Sequence, residues 1–407
     1  MTSSTSLKPD AVLTYYESHF LSNWREKGNF WHITDIHWDP TYKHTENPEL
    51  VCASSGKRPA PSAGKFGDYL CDAPWDLINS TVYAMKYILP DPDFIVWTGD
   101  DTAHVPNEDL GEEAVLSIIS NLTHIIKLVF PSGYYTENLL NRPGYRVVVL
   151  NTNLYYDQNK ATEEIDDPAG QFNWADHVLT EAVYIIGHVP PGFFEKKRSK
   201  PWFRPNFNKR YLELIQKHHS LIIGQFFGHH HTDSFRMFYS SEGSPISTMF
   251  LTPGVTPWKT TLPGVIDGAN NPGIRVFEYD TQTLLVKDMV TYYLNLTHAN
   301  MAQARWEKEY RFTESFRVPD ASPASMHQAV ERMASDRCYL QKYYEFNSVN
   351  YDLTECNSDC RVDHVCAARE VDFERYEHCL EKEKASSTGV AMLPVLSVVI
   401  SLVWASC

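Results

Sequence analysis

Four short polar clusters that contain aspartate or histidine follow apolar runs of the sequence and could bind metal ions. Each cluster begins where a predicted β-strand ends, and loops at the carboxyl ends of strands commonly carry the functional residues of α/β proteins. A glycine directly precedes Asp100, His188 and His229, where it lets the backbone turn sharply or approach a ligand closely. The clusters are Asp35-Ile36-His37, Gly99-Asp100-Asp101-Thr102-Ala103-His104, Gly187-His188 and Gly228-His229-His230-His231.

Aspartate and histidine in this combination indicate phosphoryl chemistry at a pair of metal ions. One histidine alone is more often a solvated or hydrogen-bonded residue, but four mixed clusters are harder to explain in that way. Imidazole and carboxylate suit zinc, iron or manganese, and such a pair of ions polarises a phosphoryl group and lowers the pKa of a bridging water. Because alternate residues of an extended chain point the same way, we expect Asp35 to act with His37 and His229 with His231, while His230 points away.

The elements that must position these clusters alternate between strands and helices over about residues 28–295. This alternation predicts an α/β or α+β fold with functional loops at the strand ends. Helices are predicted from Pro74 to Ile88, over residues 110–129, and again in the tract Pro323–Leu380. Strands are predicted at Phe30–Ile33, Phe94–Trp97, Arg146–Leu150, Val183–Ile186, Leu221–Phe227, Ile246–Leu251, Ile274–Tyr279 and Leu284–Tyr293.

The order of the motifs, D-x-H, G-D, G-H and G-H-x-H, resembles that of the calcineurin-like metallophosphoesterases. The segments FWHITDIH, WTGDD, GHVPPGFF and FFGHHHTDSF are similar to those of the acid sphingomyelinase branch, and the similarity covers roughly residues 28–382. The resemblance implies a four-layer αββα sandwich. The helical, cysteine-containing tract Pro323–Leu380 adds a small, disulfide-containing C-terminal subdomain to this expectation. The resemblance also implies a phosphodiesterase in which a pair of zinc ions activates hydroxide.

The same resemblance implies roles for individual residues. It assigns Asp35, His37 and His231 to one zinc ion, His188 and His229 to the other, and Asp100 to a bridge between the two. His104 matches the histidine that lies beside the reacting phosphate, as a catalytic acid or an electrostatic stabiliser.

The sequence departs from the family in lacking a G-N-H motif, whose asparagine is a ligand of the second zinc ion and whose histidine assists the leaving group. Two junctions are short for the elements that they connect, and we expect internal deletions near residues 131–133 and 181–183. The second zinc site should therefore be weakened. Asn151 and Asn153 could replace the missing ligand only if the site tolerated displaced geometry.

Cysteines and glycosylation sequons favour a secreted or surface protein. The spacing of the C-terminal cysteines does not match zinc knuckles, so we expect local disulfides instead. The expected pairs are Cys52–Cys71, Cys356–Cys360 and Cys366–Cys379. The sequons begin at Asn79, Asn121 and Asn295.

The two ends of the chain favour different conclusions about where the protein is located. Residues 1–27 contain no apolar core typical of a secretory signal, so this segment is atypical for a surface protein. Residues 385–407 combine small residues with an apolar tail, which is typical of a signal for a glycolipid (GPI) anchor. Between them we expect a metallophosphoesterase domain over residues 28–295 and a helical subdomain over residues 296–384.

The net charge of −15 argues against a protein that binds nucleic-acid polymers. The leading hypothesis is a monomeric zinc phosphodiesterase that a lipid anchors to the outer face of the cell membrane. Its substrates would be small nucleotide, choline-phosphodiester or sphingolipid-type molecules. An alternative is a catalytically impaired, membrane-anchored variant with a binding or regulatory role in innate immune signalling. A third is a chain that does not fold stably. The sequence leaves the substrate and its leaving group open.

Overall fold

The computed structural model describes residues 26–56, 58–130, 144–259 and 268–388. The strands are β1 (Lys27–Ile33), β2 (Phe94–Trp97), β3 (Tyr145–Val149), β4 (Ala182–Ile186), β5 (Phe193–Phe194), β6 (Lys197–Pro201), β7 (Ile222–Phe227), β8 (Ser234–Tyr239), β9 (Pro245–Leu251), β10 (Trp258–Lys259), β11 (Ala269–Asn270), β12 (Gly273–Asp280), β13 (Val286–Leu294) and β14 (Trp306–Arg311). The helices are α1 (Trp75–Ile88), α2 (Glu112–Val129), α3 (Gln171–Val178), α4 (Pro205–His218), α5 (Leu296–Met301), α6 (Phe312–Phe316), α7 (Pro323–Ser335), α8 (Arg337–Asn347), α9 (Ser358–Arg369) and α10 (Phe373–Thr388).

Two five-stranded sheets carry the fold. The first has the order β14-β13-β12-β1-β2, in which β1 and β2 are parallel and the other pairs are antiparallel. The second has the order β3-β4-β7-β9-β8, parallel except for its edge strand β8. The parallel strands β1 and β2 lead into Asp35 and Asp100, and β4 and β7 lead into His188 and His229. All four clusters therefore follow strands, as the sequence predicted, and the structure shows that each of these strands is parallel to a neighbour.

Apolar side chains pack between the two sheets and on both of their outer faces. Phe30 and Phe277 of the first sheet meet Phe226 of the second, with ring centroids 5.3 Å apart for Phe30 and Phe226 and 5.1 Å apart for Phe226 and Phe277. Helices α1 and α2 cover the other face of the first sheet, and α3 and α4 cover that of the second. Each fully buried phenylalanine side chain stabilises the fold by about 1.5–3 kcal/mol. The layers confirm the predicted αββα sandwich.

Helix α1 shows how the sequence determines an outer layer. Pro74 precedes the first turn, where a missing backbone N–H costs nothing, and Asp76 and Lys86 lie at the ends whose partial charges they complement. The residues between Leu77 and Met85 that recur at helical spacing are buried against the first sheet. The predicted helix from Pro74 to Ile88 is thus confirmed.

The C-terminal region is helical, as predicted, but the boundary expected at residue 295 does not divide the structure. Strand β14 follows that boundary and pairs with β13, so the first sheet extends beyond it. Met326 and Val330 of α7 also join the core between the sheets. Strand β14 was missed because it is a charged edge strand, with the sequence WEKEYR, and edge strands commonly carry charges that prevent further pairing.

The three predicted disulfides are present in the structure. The Cα atoms are 6.0 Å apart in Cys52–Cys71, 5.3 Å in Cys356–Cys360 and 5.7 Å in Cys366–Cys379. The third of these joins α9 to α10. Disulfides form and persist in oxidising environments, so the chain is suited to an extracellular location.

Three of the features predicted from the sequence lie outside the described residues. They are the segment before residue 26, the junction near 131–133 and the apolar tail from residue 389. The junction near 181–183 is described, and there α3 and β4 are separated by only residues 179–181. Of the sequon asparagines, Asn121 and Asn295 are exposed and Asn79 is half-buried. Within the described ranges, no helix combines the length and apolar character that a membrane span requires.

Candidate metal centre

The predicted ligands from the two sheets converge on one cleft. The Nε2 atoms of His37 and His188 lie 3.3 Å and 3.2 Å from Asp100 Oδ2, and His231 Nε2 lies 3.4 Å from Asp35 Oδ1. Potential ligand atoms of Asp100, His188 and His229 lie within 4.8 Å of one another, as do those of Asp35, His37 and Asp100. Asp100 belongs to both sets. The structure thus brings all six predicted ligands together, in an arrangement with a carboxylate shared between two sets.

Most of these residues have left-handed backbone conformations. The φ angles are 49° at Asp35, 42° at His37, 63° at Asp100, 70° at His229 and 59° at His231. Residues other than glycine rarely adopt these angles, which cost free energy and cluster at functional sites. The expectation that extended backbone would align Asp35 with His37 and His229 with His231 was therefore wrong. The pairs do converge, but they do so on tight turns after the strands have ended.

Backbone carbonyl groups orient two of the imidazole rings. His37 Nδ1 lies 2.7 Å from the carbonyl oxygen of Thr102, and His188 Nδ1 lies 3.1 Å from that of Thr98. A nitrogen that donates to a carbonyl must carry the proton, so the Nε2 atom of each ring is left to face the cleft with its lone pair when the ring is neutral.

Asp35 is held in a similar way. Its carboxylate accepts hydrogen bonds from the Thr34 hydroxyl group, at 2.7 Å, and from the backbone N–H of His229, at 3.0 Å. Its Oδ1 atom faces His231 and lies 3.7 Å from His188 Nε2. These bonds tie the loop after β1 to the loop after β7 across the two sheets.

The electrostatics of the cleft favour ionised carboxylates. Burial alone would raise the pKa of Asp100, but His37 and His188 hold it well below its usual range. Burial likewise opposes ionisation of Asp35, and the neighbouring His231 and His188 lower the pKa of that carboxyl group below its ordinary value. Burial lowers the pKa of His231 to about 3 and that of His229 well below its usual range. Both histidines are therefore neutral at pH 7, as metal ligands must be.

The donor set fits a divalent metal ion. His229 Nε2 and His231 Nδ1 are buried and make no hydrogen bond to any described residue. A buried polar atom without a partner is costly, and coordination to a cation removes that cost. Imidazole nitrogen and carboxylate oxygen suit zinc, iron or manganese. The residues that could hold two such ions are Asp35, His37, Asp100, His188, His229 and His231.

His104 lies beside the same cleft. Its ring stacks on His37 and on Trp258, with centroid distances of 3.9 Å in both cases, and it is also close to His231. Its Nδ1 atom lies 3.0 Å from Asp72 Oδ1. This position agrees with a role beside the reacting group, although ligand atoms of His37, His104 and His231 also lie within 4.8 Å of one another.

Asp72 and Trp258 lie at the site without having been assigned a role from the sequence. Asp72 is fully buried and accepts hydrogen bonds from the backbone N–H of His104, at 2.6 Å, and from the Thr256 hydroxyl group. The only signal for it was its position directly after Cys71, whose disulfide with Cys52 fixes this loop.

Two aromatic residues beside His229, Trp202 and Tyr156, were also not predicted. The ring of Trp202 approaches His229 edge-on at 4.4 Å, and that of Tyr156 does so at 5.3 Å. The Lys200 ammonium group lies over both rings and pairs with Asp157 at 2.7 Å. No motif in the sequence marked these residues, because they reach the centre from a distant hairpin and a 3-10 turn.

Comparisons with known proteins show the family to which the chain belongs. Residues 244–386 match the family model described as the acid sphingomyelin phosphodiesterase C-terminal region. Acid sphingomyelinase-like phosphodiesterase 3b of Homo sapiens is 51% identical over 437 aligned positions, which cover 93% of this chain and 96% of the relative. The chain belongs to the acid sphingomyelinase-like phosphodiesterase family.

More distant members of the acid sphingomyelinase-like phosphodiesterase family match over similar lengths. The cyclic GMP-AMP phosphodiesterase SMPDL3A of Mus musculus is 34% identical, over 87% of this chain and 92% of its own length. Sphingomyelinase phosphodiesterase C of Dictyostelium discoideum is 32% identical, over 91% of this chain and 96% of its own length. Both relatives are named as phosphodiesterases.

The alignment with the human relative also reveals residues that this chain lacks. It spans 437 positions, whereas 93% of a 407-residue chain is about 379 residues, so roughly 58 positions of the alignment have no residue of this chain.

Proposed function

We propose that the protein is a zinc-dependent phosphodiesterase of the cell surface. Its substrates would be small phosphodiesters of the nucleotide, choline-phosphodiester or sphingolipid type. One observation carries the proposal: two sets of Asp and His side chains, contributed by loops of both sheets, share the carboxylate of Asp100. The names of the relatives support phosphodiester hydrolysis, and the donor set supports zinc among the divalent metals.

The geometry assigns separate tasks to the residues around the cleft. When bound, a pair of divalent cations supplies Lewis acidity and an activated water nucleophile. Asp35 and Asp100 are ionised and supply the negative charge that holds the cations. His104 lies beside the first set, with Asp72 fixing its ring, and is placed to transfer a proton or to stabilise charge on the phosphoryl oxygens. Trp258 stacks on His104, and Tyr156 lies edge-on against His229.

The test combines metal analysis with turnover. The purified chain is expected to bind two zinc ions and to hydrolyse bis(p-nitrophenyl) phosphate. Asp100→Ala should lose the second ion and reduce turnover by at least the 10²–10⁴-fold that is typical of losing one catalytic group. Asp76→Ala, an exposed carboxylate in the first turn of α1, serves as the matched control and should behave as the unchanged chain. A chain that binds no metal, or an Asp100→Ala variant with full activity, would contradict the proposal.

A specific observation favours a second candidate, in which the chain binds metal but turns over poorly. The G-N-H motif is missing, and roughly 58 positions of the human relative's alignment have no counterpart here. Such a chain would be a membrane-anchored binding or regulatory protein, with innate immune signalling as the proposed setting. Bound zinc without turnover would support this candidate. Absence of a cooperative unfolding transition would instead support a chain that does not fold stably.

A further inference from the structure

Two of the predicted metal ligands, His229 and His231, lie on the loop between β7 and β8, and this loop rests on a buried polar network. The network consists of Glu195 from the β5–β6 hairpin, Arg236 from β8 and Asn347 at the end of α8. Glu195 is 1% exposed and the other two are 0% exposed. None of these residues belongs to a ligand set.

Glu195 uses both of its carboxylate oxygens in this network. Oε1 accepts hydrogen bonds from the Thr232 hydroxyl group, at 2.8 Å, and from Asn347 Nδ2, at 2.7 Å. Oε2 accepts from Arg236 Nη2 at 2.6 Å. Arg236 compensates the buried charge, and it holds the pKa of Glu195 well below its usual range although burial opposes this.

His230 turns into the same network, as the sequence predicted when it placed this residue away from the metals. Its Nδ1 atom lies 3.4 Å from Glu195 Oε2. Its neighbours His229 and His231 face the cleft, so the loop is anchored between its two ligands.

Asn347 also connects the β7–β8 loop to the C-terminal helices, through hydrogen bonds to Asp233. Its backbone carbonyl accepts from the backbone N–H of Asp233 at 3.1 Å, and its Nδ2 atom donates to the carbonyl of Asp233 at 3.0 Å. Because Nδ2 faces two acceptors, Glu195 Oε1 and this carbonyl, the orientation of the amide is determined. The Asp233 side chain then pairs with Arg275 and Tyr310 of the first sheet.

We propose that Glu195 and Asn347 are positioning residues for the metal centre, through which the β5–β6 hairpin and helix α8 hold the His229–His231 loop. The loop needs this support because both of its ligands occupy left-handed conformations that the surrounding structure must enforce. The inference rests on the proposed metal site. It goes further by making the C-terminal helical region a part of that site.

The experiment measures metal affinity rather than activity. Asn347→Ala and Thr232→Val each remove one donor to Glu195 Oε1, and Thr232→Val does so with almost no change in shape. Zinc affinity is measured by competition with a chromophoric chelator, and the absorption spectrum after cobalt substitution reports the ligand geometry. Outer residues that orient metal ligands typically contribute roughly 10–100-fold in metal affinity, and a loss of this size with a changed cobalt spectrum is expected for both variants.

Asp336→Ala is the matched control. It removes the side chain that caps the N-terminus of the same helix, where it accepts from the backbone N–H of Cys338 at 2.8 Å, at the opposite end of the helix from Asn347. We expect it to lower thermal stability while leaving zinc affinity and the cobalt spectrum unchanged. If Asn347→Ala fails to fold, Thr232→Val decides the result.

The outcomes separate this inference from the proposed function. If the unchanged chain binds no zinc or cobalt, the proposed metal site fails. If the unchanged chain binds both metals and the variants bind them equally well, only the positioning role is overturned. An equal loss of affinity in Asp336→Ala would also overturn it, because that result indicates general destabilisation.

Discussion

Asp72 orients the ring of His104 by two hydrogen bonds. It accepts from both the backbone N–H and the Nδ1 atom of His104, and its partner Thr256 belongs to the loop that leads to Trp258. Burial would raise the pKa of Asp72, but the hydrogen bond from His104 lowers it below the ordinary value, so this carboxylate is ionised. An ionised, buried acceptor at Nδ1 leaves Nε2 of His104 as the atom that can reach a substrate.

For this single residue we predict that Asp72→Asn lowers kcat for the chromogenic diester by roughly 10–100-fold while KM stays unchanged. The amide cannot serve as the anionic acceptor, so His104 loses its orientation. The double variant Asp72→Asn with His104→Ala should be no slower than His104→Ala alone, because Asp72 acts through that ring. Additive losses, or a change confined to KM, would contradict this role.

The turns that follow the strands are the elements that build the centre. Gly228 ends β7 and lies so close to the loop after β1 that an added Cβ atom would be 2.0 Å from Thr34 Oγ1 and 2.6 Å from Asp35 Oδ2. Gly99 is required for another reason, since its φ of +89° suits only glycine. The loops after β1 and β7 can therefore approach each other this closely only because residue 228 has no side chain.

We expect Gly228→Ala to reduce zinc affinity by at least tenfold, because the new methyl group displaces either Asp35 or the loop that carries His229. Isothermal titration calorimetry with zinc measures the change. Gly111→Ala, at a helix N-terminus where nothing lies within 4 Å of the added atom, is the control and should bind normally. Normal zinc binding by Gly228→Ala would show that the loops are not in close contact.

The edge of the first sheet supports a prediction about pH. Arg311 of β14 bonds to Glu278 of β12 at 2.6 Å and to Asp288 of β13 at 2.8 Å. Burial alone would raise the pKa of Glu278, but the hydrogen bond from Arg311 lowers it below its ordinary value. The pair therefore contributes stability that is present above the ordinary carboxyl range and is lost as pH falls through the lowered pKa.

Chemical denaturation between pH 7 and pH 3 should show this loss of unfolding free energy, and Arg311→Leu should show a smaller loss. The exposed pair of Lys65 and Asp76 provides the comparison, since Lys65→Leu is expected to leave the pH dependence as it is. An Arg311→Leu variant with the same acid sensitivity as the unchanged chain would mean that Glu278 does not depend on this partner.

Over the whole molecule, the C-terminal helices and the sandwich form one folding unit. Met326, Ala329, Val330 and Met333 of α7 pack in the core between the sheets, and Asn347 of α8 donates to the Asp233 carbonyl at the end of the metal loop. A shared core with these contacts gives no structural boundary at residue 295. The disulfide Cys366–Cys379 then closes the outer helices over this core.

We therefore predict that the chain unfolds in a single cooperative transition. Met326→Ala should lower the free energy of unfolding by about 2–5 kcal/mol. Circular dichroism and hydrogen exchange of both regions should report the same loss. Met301→Ala, at a residue 80% exposed, removes the same side chain without leaving a cavity and should have little effect. Separate melting of the C-terminal helices would contradict the single unit.

The sequence alone determined the strands that carry the centre, the six candidate ligands and the three disulfides. It could do so because apolar runs mark buried strands, and because Asp, His and Cys reveal their chemistry by type and spacing. Only the tertiary structure decided that Asp72 serves His104, that Trp258 and Tyr156 lie beside the cleft, and that Asn347 supports the metal loop. These contacts join residues far apart in the chain, and a hydrogen bond between buried side chains leaves no local pattern. The left-handed turns at the ligands were likewise hidden, since strain that tertiary packing imposes runs against the local preferences of the residues.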